Sequence, residues 1–190
     1  MMIAEQHKLR RETWYAKLRQ RYEQLFGMLE RGLDGWFFEL AARLLFAASL
    51  MVYYLNSVTT KLGEGLFGIF SPSAGAFAQI VPPIAEEYVY DTAAIPFFPW
   101  HLIVISGSIA ELLLPVLIVL GLFTRLSALA MVGFIVVQTI VDIAFHSVAA
   151  GGWFDNQASG LLDQRAFWIY PLLLLVIKGG GAVSFDALLR

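Results

Sequence analysis

The chain has 190 residues, of which 58% are hydrophobic and 15% are charged, and its formal net charge is −2 at pH 7. This apolar content exceeds the roughly 45–50% of soluble domains, and the mean hydropathy of +0.68 favours a single integral membrane domain. The chain has no cysteine, which excludes a dithiol relay, thiolate metal sites, covalent haem attachment and disulfides built from its own side chains.

Residues 1–34 hold seven of the 13 basic residues and precede the first long apolar stretch. Apolar residues recur among them mostly at three- and four-residue steps from Leu9 to Leu33, which predicts an amphipathic helix. Such a basic helix would lie on an anionic cytoplasmic leaflet, although a short seam from Leu18 to Leu29 would also suit helix pairing. Anionic lipid, not nucleic acid, is therefore its expected partner.

Four apolar stretches follow, with predicted spans at about 35–58, 100–122, 126–148 and 161–178. Crossing the hydrocarbon core takes about 20 helical residues, which the first three stretches supply directly and the fourth only with its polar start included. The prediction is an all-α integral membrane protein, a four-transmembrane-helix bundle over residues 35–190. The basic cluster before the first span predicts that both termini are cytoplasmic.

A long loop, residues 59–99, joins the first two spans and is rich in aromatic residues and proline. With cytoplasmic termini it lies on the exported side. Its aromatic residues suit a membrane interface, and a long structured loop can also act as a lid over a site. An anchoring belt and a lid are both open interpretations.

Ionisable residues inside the spans are the candidates for chemistry, since a charge in hydrocarbon costs a few kcal/mol at least and is normally turned inward and paired. Glu39 and Arg43 are four residues apart, which predicts a structural ion pair within the first span. Glu111 lies near the middle of the second span and needs a partner from another helix. Arg43 lies at a comparable depth, so the two could form a structural pair or a ligand-binding pair, and Lys61 ends the first span.

The third span carries Gln138, Asp142 and His146 at intervals of four residues, which places them on one stripe of a helix. An aspartate beside a histidine can raise the imidazole pKa and form a proton relay or a ligand anchor, whereas a structural polar contact between helices is the alternative. His101 is predicted at a similar depth to His146. Two histidines are weak evidence for a metal, so no metal site is predicted.

Two motifs point to a family. The run 110–125 reads AELLLPVLIVLGLFTR and the tail 178–189 reads KGGGAVSFDALL. With the arginine and lysine of the first span, they resemble the DoxX family over about residues 39–189. The positions carried over are Arg43, Lys61, Glu111, Arg125 and the turn from Gly179 to Asp186.

The tail turn contains Gly179, Gly180 and Gly181, followed by Ser184 and Asp186. Consecutive glycines permit left-handed backbone at a helix end, and the serine and aspartate can cap a short following segment. The family has a proline where this chain has Gly180. The turn is therefore interpreted as a structural signature that identifies the family without identifying a substrate.

The resemblance implies a four-helix bacterial inner-membrane protein associated with redox functions. Some relatives resemble subunits of a quinone-reducing thiosulfate oxidoreductase, and others partner enzymes of oxidative-stress defence. The leading hypothesis is a membrane subunit that binds a quinone or a similar lipophilic redox molecule and receives electrons from a partner oxidoreductase. Whether the chain is itself part of an enzyme stays open.

In this hypothesis Arg43 and Glu111 hold a carbonyl or hydroxyl group, while Asp142 and His146 pass protons toward the exported side. A non-enzymatic scaffold or assembly factor is the alternative, and a proton-coupled transporter is a third class that the lack of an evident internal repeat disfavours. A second copy of the chain is a further candidate partner. The ligand-binding residues of the hypothesis are Arg43, Lys61, Glu111, Gln138, Asp142 and His146.

Overall fold

The structure is a computed structural model that describes residues 2–63, 65, 67–149, 151 and 164–189, with side chains from Trp14 onward. All regular structure in these residues is helical. The first helix, α1, covers Met2–Leu33, and its described side chains are mostly exposed. Arg19 donates to Glu23 at 2.8 Å, and this contact raises the pKa of Arg19 above its ordinary value. Gly35, with φ +78°, then turns the chain into the bundle.

Seven further helices follow α1 in the described residues. They are α2 (Phe37–Thr59), α3 (Ala74–Ile80), α4 (Pro82–Glu87), α5 (Phe97–Leu120), α6 (Thr124–Phe145), α7 (Arg165–Lys178) and α8 (Phe185–Leu188), with a 3₁₀ turn at Gly68–Phe70 before α3.

Three helices are long and apolar enough to cross a membrane: α2 with 23 residues, α5 with 24 and α6 with 22. Their bounds lie close to the first three predicted spans. The helix α7 has 14 residues and a length of about 21 Å at 1.5 Å per residue, short of the roughly 30 Å hydrocarbon core. Residues 161–163 of the predicted fourth span lie outside the described part of the chain, so a fourth span stays a prediction.

The long helices pack in a ring around a common core. The helix α2 contacts α5 and α7, and α6 contacts the same two helices. Large apolar side chains also cover the outer faces, as expected for surfaces that meet lipid. The buried core residues are Ala42, Phe46, Leu50, Tyr54, Ile118, Ala128, Met131, Ile135, Leu172 and Leu175.

The first loop is a folded element over one end of the bundle, here named the loop end. The short helices α3 and α4 enclose a second buried cluster that includes Phe77 and Ile95 of the loop and Val104 of α5. Ser73 caps α3 by accepting from the N–H of Ala76 at 3.2 Å and donates to Thr60 O at 3.1 Å. These contacts attach the loop to the ends of α2 and α5.

Candidate functional site

A cavity of about 540 Å³ lies between α2, α3, α5 and α6. Its walls are mostly apolar, with polar side chains concentrated toward the loop end. Five of the predicted ligand-binding residues line it together, whereas Arg43 does not. The lining residues are Tyr53, Ser57, Lys61, Gln79, Ile80, Ile103, Gly107, Ala110, Glu111, Leu114, Ala130, Gly133, Phe134, Val137, Gln138, Val141, Asp142 and His146.

Small residues on α5 and α6 create this space. Gly107 and Ala110 line it from α5, and Ala130 and Gly133 line it from α6. A Cβ atom added to Gly133 would meet no atom within 4 Å, so the cavity is open at that point. Val137, which also lines it, is 61% exposed, so the cavity reaches the outer surface of the bundle at α6.

A buried ion pair lies in the wall of the cavity. Lys61 Nζ is 2.7 Å from Glu111 Oε2, and the two side chains are 5% and 4% exposed. Lys61 follows the end of α2 and reaches back along it to donate to Ser57 Oγ at 2.6 Å. Glu111 shares the buried face of α5 with Ser108 and Pro115. Each charge therefore depends on the other, since an isolated buried charge is strongly unfavourable.

The ammonium group of Lys61 satisfies the carboxylate of Glu111. Its separation of 2.7 Å from Oε2 is typical of a charge-assisted hydrogen bond, and Oε2 itself is fully buried. The pair therefore connects the end of α2 to the middle of α5 within the wall of the cavity.

Two adjacent tyrosines of α2 meet one glutamine of α6. Tyr54 Oη donates to Gln138 Oε1 at 3.2 Å, and Gln138 Nε2 donates to Tyr53 Oη at 3.0 Å. A π-helical segment, Ala47–Met51, precedes the tyrosines in α2, and such segments recur at functional sites because they change the direction of the following side chains. The pair of tyrosines thereby fixes the amide of Gln138.

Sequence reasoning missed Tyr53, Ser57 and Gln79 as members of the site. Ser57 could have been found, because it lies four residues before Lys61 and so on the same side of a helix. For Tyr53, the only indication in the sequence was a hydroxyl group within an otherwise apolar span. Gln79 had none, since its place in the cavity depends on how the loop folds over the bundle.

Asp142 and His146 line the same cavity but are not hydrogen-bonded to each other through their side chains. Asp142 Oδ2 pairs with Arg165 Nη2 of α7 at 3.2 Å, and the His146 ring nitrogen lies 3.3 Å from Gln79 O. The two side chains do not contact each other directly, because α6 ends at Phe145 and His146 follows it as the C-cap, and the proton relay through them stays a prediction. His101, by contrast, contacts Thr92 O at 3.2 Å, away from the cavity lining.

Arg43 forms a separate buried centre at the opposite end of the bundle, here named the tail end. It is 6% exposed, and its guanidinium donates to Ile118 O at 3.1 Å, Val119 O at 2.6 Å and Gly180 O at 3.2 Å. It also donates to Val183 O. The arginine thus joins α2, the last turn of α5 and the glycine turn of the tail.

These contacts correct two predicted pairs. Arg43 forms no ion pair with Glu39 or with Glu111 among the described residues, and Glu39 Oε2 is buried without a hydrogen-bond partner. The physical reason is that carbonyls in the last turn of a helix are unpaired and carry the negative end of the helix dipole. The five donors of a guanidinium can satisfy several such carbonyls at once.

The tail turn completes the tail end. Asp186 accepts from the N–H groups of Phe123 at 2.7 Å and Thr124 at 2.9 Å, at the start of α6, and its own N–H donates to Gly121 O at 2.9 Å. A Cβ atom on Gly180 would lie 2.6 Å from Thr124 Oγ1, so only glycine fits this approach. The two motifs of the sequence, 110–125 and 178–189, therefore hold each other in place.

The fold and the site define a class, namely a multi-pass membrane protein with a partly polar cavity between its apolar helices. The family model described as DoxX matches residues 38–147, more than half of the chain. The chain belongs to the DoxX family, which confirms the resemblance drawn from its motifs.

One relative illustrates how little the family resemblance says about activity. A Haemophilus influenzae protein, described as an uncharacterized protein, is 30% identical over 91 residues, which are 48% of this chain and 53% of that protein. The chain thus spans about half the length of the curated relative it matches. No solved structure is significantly similar to the chain.

Proposed function

We propose that this protein is a membrane subunit that binds a small lipophilic redox molecule, such as a quinone, and works with a partner oxidoreductase. The observation that carries the proposal is the cavity of about 540 Å³ with apolar walls and a buried Lys61–Glu111 pair. Ligand sites of this kind measure about 300–1,000 Å³ and combine apolar walls with a few polar groups that orient the ligand.

The surroundings of the cavity suit a ligand that arrives from lipid. The small residues Ala130 and Gly133 and the exposed Val137 line its side at α6. An apolar molecule could enter there from the bilayer without crossing water. The chain has no cysteine, so in this proposal the electrons come from the partner protein.

The polar groups divide into two roles in this proposal. The Tyr53 hydroxyl donates to a carbonyl or hydroxyl oxygen of the ligand, the Glu111 carboxylate accepts from a ligand hydroxyl, and Gln138 holds Tyr53 in position. Asp142 and His146, nearer the loop end, carry protons between the cavity and water. Arg43 has no part in ligand binding, because its donors already serve backbone carbonyls.

The proposal includes a fourth span formed by α7 together with residues that precede it. Arg165 at the start of α7 pairs with Asp142, whereas Lys178 at its end lies 3.6 Å from Asp34 at the tail end. The helix therefore connects the two ends of the bundle. In this arrangement both termini are cytoplasmic in a bacterial inner membrane, and α1 lies on the cytoplasmic leaflet as an amphipathic helix.

The proposal is tested by mass spectrometry of lipophilic molecules retained after purification in mild detergent. Gly133→Leu fills the open part of the cavity without contacting the charged groups, since a Cβ there meets no neighbour within 4 Å. Ala144→Leu is the matched control, because Ala144 is exposed on the same helix and does not line the cavity.

We expect the native protein and Ala144→Leu to retain a quinone and Gly133→Leu to lose at least about 90% of it, equivalent to about 1.4 kcal/mol of binding free energy or more. A native protein purified without any quinone, or equal retention in all three samples, would overturn the proposal.

A further inference from the structure

The hydroxyl group of Tyr53 has a hydrogen bond left to donate. Its oxygen accepts from Gln138 Nε2 at 3.0 Å, and no group in the described part of the chain accepts its proton. Tyr53 lines the cavity and is 45% exposed, so a ligand can reach this side chain. A phenolic hydroxyl that already accepts one hydrogen bond can still donate its own.

The charged side chains of the cavity are already paired. Lys61 contacts Glu111 at 2.7 Å, and Asp142 contacts Arg165 at 3.2 Å. A ligand oxygen can therefore bind the Tyr53 proton without breaking either ion pair.

The direction of this donor is set by Tyr54, which does not line the cavity. Tyr54 is fully buried, and its hydroxyl donates to Gln138 Oε1 at 3.2 Å. In an amide only the oxygen accepts and only the nitrogen donates, so this bond leaves Nε2 of Gln138 directed to Tyr53. Tyr53 must then accept from the amide, and its own proton is free for a ligand.

Without the Tyr54 hydroxyl, nothing in the described hydrogen bonds would prevent the amide of Gln138 from turning over. Oε1 would then accept the proton of Tyr53, and the cavity would lose its donor. The buried tyrosine therefore controls a hydrogen bond that it does not make itself.

Building on the proposed function, we infer that Tyr54 is a positioning residue that sets the ligand specificity of the cavity. Acting through Gln138, it makes Tyr53 a hydrogen-bond donor. The cavity accordingly selects lipophilic molecules with a carbonyl oxygen, namely aromatic ketones and quinones, over hydrocarbons of the same shape.

The test uses two redox-inert probes, benzophenone and 1,1-diphenylethylene, in which a CH₂ group replaces the carbonyl oxygen. Binding is measured in the dark by equilibrium dialysis against the protein in lipid nanodiscs, with empty nanodiscs subtracted. We expect the native protein to bind benzophenone at least about tenfold more tightly, a ratio that one hydrogen bond can supply.

Tyr53→Phe and Tyr54→Phe each remove one hydroxyl group, and each should reduce the ratio of the two affinities to less than about threefold. Tyr170→Phe is the matched control, because Tyr170 is 72% exposed on α7 and does not line the cavity. It should keep the native ratio. A merely structural role of Tyr54 would weaken both probes alike in Tyr54→Phe and preserve their ratio, which would overturn the inference.

Infrared spectroscopy of bound benzophenone keeps the test decisive if a variant fails to fold. A donated hydrogen bond lowers the stretching frequency of a carbonyl group, so the band in the native protein should lie below the band in empty nanodiscs. An unshifted band would overturn the inference, and so would equal affinities of the native protein for the two probes.

These outcomes also separate the inference from the proposed function. If quinone is retained but the native protein binds both probes equally, only the inference fails. If neither probe binds, the inference fails, and if no quinone is retained either, the proposed function fails with it.

Discussion

Two buried cations, Arg43 and Lys61, are neutralised in different ways, and the chemistry of their side chains explains why. The planar guanidinium of Arg43 distributes its donors over backbone carbonyls of α5 and the tail. The compact ammonium of Lys61 lies beside one carboxylate, that of Glu111. Arginine and lysine are not interchangeable in such positions, because the first presents a fixed fork of donors and the second a point charge.

Arg43→Lys should destabilise the protein by about 2 kcal/mol or more, since lysine cannot reach all the carbonyls and each buried unpaired acceptor costs about 1–3 kcal/mol. The measurement is the midpoint of thermal unfolding in one detergent. Arg125→Lys is the control, because Arg125 is an exposed arginine at the tail end, and the unfolding midpoint of this variant should change little. Equal shifts in both variants would contradict the role assigned to Arg43.

Lys61→Met should destabilise the protein by about 3–5 kcal/mol, because it leaves the Glu111 carboxylate buried without its counter-charge. Lys61→Met/Glu111→Leu should recover most of this loss, as replacing a buried pair by apolar groups is often neutral. The measurement is a double-mutant cycle of thermal unfolding midpoints for the native protein, Lys61→Met, Glu111→Leu and Lys61→Met/Glu111→Leu. Additive losses would show that the two side chains do not interact.

At the scale of elements, the tail end is held together by contacts between segments that are far apart in sequence. The turn between α5 and α6 receives Asp186 from the tail, while Arg43 of α2 binds carbonyls from both. Ser184 accepts from the N–H of Ala187 and caps the short α8. The tail motif and the end of the 110–125 motif therefore stabilise one joint of the bundle, whereas Ala110, Glu111 and Leu114 at the start of the 110–125 motif line the cavity.

Asp186→Ala should cost about 1–2 kcal/mol, since it removes a side-chain cap and a negative charge from the start of a helix. Hydrogen exchange measured by mass spectrometry should show faster exchange in residues 121–127, where Asp186 accepts from Phe123 and Thr124. Asp91→Ala, in the first loop, should leave exchange in that segment unchanged. The same acceleration in both variants would exclude a local capping effect.

At the scale of the whole molecule, the start of α2 and the tail lie at the same end of the bundle, since Asp186 of the tail binds the start of α6. This arrangement favours an even number of membrane crossings. The chain has no cysteine, so single introduced cysteines report topology cleanly. Asp91→Cys should react with a membrane-impermeant maleimide in intact cells. Glu23→Cys and Leu188→Cys should react only after lysis. A Leu188→Cys variant labelled in intact cells would contradict a fourth crossing.

Much of the architecture was predictable because it depends on local hydrophobicity. The apolar stretches correspond to α2, α5 and α6 within a few residues, and Gly121, with φ +71°, ends α5 where the motif has its turn. Glu111 was expected to turn inward and to need a partner from another helix, and it is buried on one face of α5 with Ser108 and Pro115. The partners of the charges were not predictable, since Arg43 binds backbone carbonyls and Lys61 pairs with Glu111, where Arg43 was expected.

The sequence by itself determined the membrane class, the family and the three long apolar helices, because length, hydropathy and helical spacing are properties of short segments. Only the tertiary structure decided that Lys61 meets Glu111, that Asp142 meets Arg165 and that a cavity lies beside Gly133. Those outcomes depend on which helices are neighbours, on where small residues face each other and on how the first loop folds. No short segment contains that information, since it arises from the packing of distant parts of the chain.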